Sequence, residues 1–178
     1  MISGLERGAR ASDVGAIIIL EVGIVTWLWL IGCAASGDGT LAGDPCEPGD
    51  EATLELGTGE TAFEPVEAGG FVELVHGPQG GFHTYVGFAA TGLDASSQWT
   101  AEIEGMLGGE LLAESAPFLT MRCDHAEGRL EAWGTQLIWD AQPEDLDGQP
   151  ITVTAWVTDA SGLTLSDTID LVIEDPLL

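Results

Sequence analysis

The stretch that decides the fold is Ile151–Thr158, ITVTAWVT. Ile151, Val153, Ala155 and Val157 occupy alternate positions, and Thr152, Thr154, Trp156 and Thr158 fill the places between them. Successive side chains of a strand point to opposite faces, so this spacing builds one apolar face and one polar face. The next patterned stretch, Thr164–Glu174, reads TLSDTIDLVIE and places Leu165, Ile169, Leu171 and Ile173 on one side. Upstream, Phe82, Thr84, Val86, Phe88 and Ala90 alternate with His83, Tyr85 and Gly87, and Trp99, Ala101 and Ile103 alternate with Thr100, Glu102 and Glu104. Turn chemistry separates these runs: HGPQGG, GLDASS, MLGGE, PEDLDGQP and DASG. Beyond the apolar N-terminal run no segment has a helical period. The expectation is an all-β chain, a single antiparallel β-sandwich of about seven to nine strands over residues 52–178.

The segment LDGQPITVTAWVTDASGLTLSDTIDLVI, residues 146–173, resembles the closing hairpin of bacterial immunoglobulin-like and PKD-like modules. Those modules end on a strand, a D-x-x-G turn and a final strand, and Asp159-Ala160-Ser161-Gly162 matches the turn. The resemblance implies an immunoglobulin-like sandwich. It implies no activity, because such sandwiches host unrelated functions.

Thirty acidic residues against four basic ones leave a net charge of -26. Glu6, Asp13, Glu21, Arg7 and Arg10 precede Cys33, so 27 acids and only Arg122 and Arg129 follow it, a charge of -25. Lysine and asparagine are absent. A field of that sign repels nucleic acid and anionic lipid headgroups, attracts Ca²⁺ or basic partners, and keeps a domain dissolved. Nucleic-acid binding is excluded, and the expected state is a monomer.

The chain starts with Arg7 and Arg10 ahead of VGAIIILEVGIVTWLWLIG, residues 14–32, of which Val22–Ile31 has the length of a signal-peptide apolar region. It ends on Leu30-Ile31-Gly32-Cys33, LIGC, which resembles the lipobox of bacterial lipoproteins. The resemblance implies cleavage before Cys33, acylation of its sulfur and new amino group, and, with Ala34 in second place, forwarding to the outer membrane. Residues 1–32 are then a signal peptide, and the Gly-, Asp- and Pro-rich residues 33–51 form a flexible acidic tether. An uncleaved anchor over residues 14–35 carrying Glu21, and ordinary secretion, are the other readings of the same residues.

With Cys33 lipidated, Cys46 and Cys123 remain, and an oxidising envelope allows them one pairing. That bond would pin the tether to the body; two free thiols are the alternative. His76, His83 and His125 are the transition-metal candidates. If Gly77–Gly81 form a loop, His76 stands opposite Phe82 and His83 faces the other way, so no two-histidine copper or zinc site forms. The histidines read as ordinary surface or turn residues. Glu144, Asp145 and Asp147, around a turn ending in Gly148, are the candidate calcium ligands, without the spacing of an EF-hand loop. HGPQGGF lacks the Lys-Ser/Thr of a phosphate loop, and no GxSxG is present. Trp156 lies among threonines on the face away from the core, and it and Tyr85 are the candidate contact aromatics.

The reading is a cell-envelope lipoprotein, anchored to the membrane by lipid, whose sandwich binds a protein or polysaccharide or serves structurally, without catalysis or cofactor. A calcium- or copper-binding envelope domain and a carboxylate-dependent hydrolase are the alternatives.

Overall fold

The computed structural model describes Asp44 and residues 46–178. Among them are twelve strands and one helical turn: β1 (Thr53–Thr58), β2 (Glu64–Pro65), β3 (Gly70–Glu73), β4 (Val75–His76), β5 (Phe82–Thr91), β6 (Trp99–Leu107), β7 (Glu110–Ser115), β8 (Phe118–Leu119), β9 (Arg122–Asp124), β10 (Arg129–Trp139), α1 (Pro143–Leu146), β11 (Pro150–Thr158) and β12 (Thr164–Glu174). The count exceeds the seven to nine expected because β2, β4 and β8 are two residues long, too short for a local pattern to register.

The strands form two sheets, ordered β2-β1-β5-β10-β9 and β3-β12-β11-β6-β7, with β4 beside β5 and β8 beside β6. The expectation of a wholly antiparallel sandwich needs one correction: β3 pairs parallel with β12, Val72 opposite Ile173. With β2, β4, β8 and the parallel β3 set aside, the orders β1-β5-β10-β9 and β12-β11-β6-β7 are those of A-B-E-D and G-F-C-C′ in immunoglobulin-type sandwiches.

The period-two pattern becomes the core. Leu56, Val86, Phe88, Leu130 and Leu137 from the first sheet meet Trp99, Ile103, Ile151, Val153, Val157 and Ile173 from the second, all nearly without exposure. Polar atoms carried inward find partners: Trp99 Nε1 donates to the Asp94 carbonyl at 2.7 Å, and Trp139 Nε1 to Thr84 Oγ1 at 3.2 Å. β10 breaks strict alternation, since its inward residues are Leu130 and Ala132 at one end and Leu137 and Trp139 at the other. A bulge absorbs the mismatch: Ala132 faces Phe88 while Thr135 faces Val86, one residue too many on β10. Gly134 supplies its positive φ of 74° and donates its N–H to the Gly59 carbonyl at 2.9 Å.

The Asp159–Gly162 turn closes the β11–β12 hairpin through one buried carboxylate. Asp159 Oδ1 accepts from the N–H of Ser161, the N–H of Leu163 and the Ser161 hydroxyl, and Oδ2 accepts from the Asp94 N–H at 2.9 Å. Burial alone would raise its pKa. These hydrogen bonds outweigh burial and hold the carboxyl below the ordinary aspartate value of 3.8.

Candidate functional site

Each sheet has an outer face, and the candidate contact aromatics fall on different ones. Tyr85, on β5, lies on the outside of the first sheet, half-buried, with its hydroxyl donating to Glu60 Oε1 at 3.1 Å. Trp156, on β11, lies on the outside of the second sheet and is 36% exposed. Tyr85 therefore belongs to no surface shared with Trp156. The aromatic beside Trp156 is Phe118, 72% exposed on β8. Sequence reading passed over Phe118 because β8 is two residues long. The available signal was parity: with Leu119 inward, Phe118 must point out.

Trp156 and Phe118 line a groove of about 430 Å³ together with Thr100, Ala101, Glu102, Ala116, Pro117, Thr158 and Thr164. Its floor follows from register. Trp156 stands opposite Glu102 on β6 and Ser166 on β12, and Thr158 stands opposite Thr100 and Thr164. Thr158 bonds Thr164 at 2.7 Å within the floor, and Thr154 bonds Thr168 at 3.0 Å beyond it along the same strands. Glu104 lies opposite Thr154 and Glu114, so Glu102, Glu104 and Glu114 extend the same outer face toward the β7 edge.

The histidines do not converge. His76 pairs with Phe82 across the β4–β5 hairpin, as the loop reading expects, and its Nε2 lies 2.8 Å from Oδ2 of the fully buried Asp175. Asp175 is pushed up by burial, but the Leu177 N–H and His76 more than compensate and hold its carboxyl below 3.8. His83 corrects the expectation of a surface or turn histidine. It is 7% exposed, because Val75 and Ile138 flank it in the ladder and the Tyr85 ring stands edge-on at 5.1 Å. Its Nε2 has no partner among the described residues. Burial lowers the imidazole from its ordinary 6.5, against the pull of the Glu60 carboxylate.

Cys46 and Cys123 form a disulfide, with Cα atoms 5.7 Å apart across a separation of 77 residues. The bond fastens the segment before β1 to β9, as expected of a tether pinned to the body. His125 Nδ1 sits 3.2 Å from Cys123 Sγ and 3.6 Å from Asp44 Oδ1. These four residues are the one group of potential metal ligands that converges among the described residues. Both sulfurs are engaged in the disulfide, which leaves one imidazole and one carboxylate as donors. Asp147 is turned to a structural task, its Oδ1 accepting the Asp175 N–H at 2.9 Å. Glu144 and Asp145, in the first turn of α1, are exposed and do not converge with it into a ligand group. Leu30, Ile31, Gly32 and Cys33 lie outside the described residues.

Comparison with known proteins adds no identity: no family model matches the chain, and none of the curated proteins searched is similar to it.

Proposed function

We propose that this protein is a cell-envelope lipoprotein whose immunoglobulin-like sandwich is a non-catalytic binding module. On this reading Cys33 carries the lipid, the acidic segment after it is the tether, and the Trp156–Phe118 groove is the contact surface. The observation that carries the binding part is the pair of exposed aromatics lining one groove among threonines and an acid, whereas the other exposed aromatic of this sheet, Phe71, stands at its far edge on β3. Large aromatic side chains left in water lose the burial that a core would give them, and a partner restores it. The lipobox resemblance at Leu30–Cys33 supports the address.

Inhibition of lipoprotein signal peptidase in cells, with intact-mass analysis of the product, tests the address. Wild type is expected to start at Cys33 with added acyl mass, and Cys33→Ala to lose that mass. A product retaining residues 1–32 in untreated cells ends the lipoprotein reading. The binding part is tested by tryptophan fluorescence of the full-length protein in detergent, titrated with oligosaccharides and peptides of varied charge. Binding that Trp156→Ala removes supports the groove.

A further inference from the structure

We propose that the occupant of the groove is a basic polypeptide segment, with one lysine or arginine stem laid across Trp156 and Phe118 and a second cationic head among Glu102, Glu104 and Glu114. The inference rests on the binding-module reading and names its partner class.

Charge decides the occupant. Glu102 lines the groove, and Glu102, Glu104 and Glu114 line a neighbouring hollow of about 380 Å³ that shares Glu102 and Ala116 with it. Register brings Glu104 directly opposite Glu114, a like-charged cross-strand pair that opposes folding. Among the described residues no cation pairs with these carboxylates. The ion pairs among the described residues involve His76, His125 and Arg129, each with acids elsewhere. Arg122 is stacked on Trp133, its guanidinium 4.8 Å from the ring centroid.

Hydrogen-bonding capacity points the same way. Ionised carboxylates only accept, so the ligand must be rich in donors. Of the groove's hydroxyls, Thr158 and Thr164 bond each other, which takes one donor and one acceptor away from a neutral sugar. An anionic polysaccharide is repelled outright. A basic side chain meets both halves of the site, because its methylene stem packs on aromatic surface and its head attracts the face of tryptophan and pairs with acid.

Size separates a polypeptide from a small cation. Trp156 on β11 and Glu114 on β7 are two strand spacings apart across the sheet and two residues apart along it, about 12 Å, the reach of roughly four extended residues. Two basic residues separated by three others, on one side of an extended segment, span that distance.

The test uses the full-length protein in detergent at about 0.15 M salt, where the general acidic field is screened beyond about 8 Å. Probes are a heptapeptide with lysine at alternate positions, its glutamate counterpart and a neutral glucan oligosaccharide. The lysine peptide is expected to bind, and the glutamate peptide and the glucan to fail. Trp156→Ala and the triple variant Glu102→Gln, Glu104→Gln, Glu114→Gln should each weaken lysine-peptide binding about tenfold. A control triple, Glu47→Gln, Glu51→Gln, Glu144→Gln, removes equal charge from exposed positions elsewhere and should change it less than about twofold. Equal weakening by the two triples identifies the general field and overturns the proposal. Glucan binding that depends on Trp156 overturns the basic occupant but leaves the binding surface standing. Indifference of every probe to Trp156→Ala overturns both.

Discussion

The two outer faces of this sandwich share a core and little else. On the first sheet the groups find one another. Phe63 lies over Gly57 and Gly87, where an added Cβ would come within 2.6 Å and 3.0 Å of the ring. The Arg129 guanidinium covers Phe63, 4.9 Å from its centroid, and Arg129 Nε donates to Glu131 Oε1 at 2.9 Å. Tyr85 bonds Glu60, and His83 is packed away beside it. On the second sheet Trp156 and Phe118 are 36% and 72% exposed, and Glu102, Glu104 and Glu114 pair with no cation among the described residues. The strand glycines Gly57 and Gly87, poor strand residues by propensity, make room for a cover on the first sheet. The second sheet carries threonines and acids instead and stays open. One face is built for stability, and the other is the candidate for recognition.

If that division is right, the largest losses of stability come from the fastened side. Replacing Cys46 and Cys123 together by alanine frees the segment before β1 from β9, at the edge of the first sheet. On the chain-entropy model a loop of 77 residues makes this cost about 4 kcal/mol, read as a lower urea midpoint. Next comes the direct contrast. Phe63→Ala should cost about 3 kcal/mol, whereas Trp156→Ala, on the open face, should cost less than about 1 kcal/mol. Equal losses in the two variants would erase the distinction between the faces.

Acid sharpens the comparison from within the scaffold. The Asp159 and Asp175 carboxyls are depressed in the folded protein, so their contribution is complete above about pH 4 and is lost as pH falls through their folded values. His83 is depressed as well, by burial, so the folded state resists its protonation. Its contribution is complete above about pH 6.5 and declines as pH falls through the folded value. Asp159→Asn should cost about 2 kcal/mol near neutrality and converge on wild type in acid, measured by urea unfolding across pH. His83→Gln should flatten the part of the curve between about pH 7.5 and pH 5.5. The smallest effect has the opposite sign. Glu104→Gln removes the repulsion with Glu114 and should raise stability by a few tenths of a kcal/mol, while Glu131→Gln, which removes the carboxylate that Arg129 is bonded to, should lower it.

The local patterns that were legible are those where one strand speaks for itself. Val153 and Val157 are inward and Trp156 outward because parity needs no partner. Phe118 escaped because two residues make no pattern, and β10 because its bulge resets the phase between Ala132 and Thr135. His83 misled for another reason. Its parity points it away from the core, but that face is covered, so pointing outward does not mean exposure.

Sequence alone determined the all-strand class, the core-facing residues of the regular strands and the Asp159–Gly162 turn, because each depends on spacing along the chain; it left Cys46 and Cys123 either paired or free, and the structure pairs them. Tertiary structure alone decided that Trp156 and Phe118 share a groove, that Tyr85 lies on the opposite side, that β3 runs parallel to β12 and that Glu104 confronts Glu114. Period two assigns a side chain to a face of its own strand. Which strand lies next to it, and in what register, is set by the packing of distant segments over a common core.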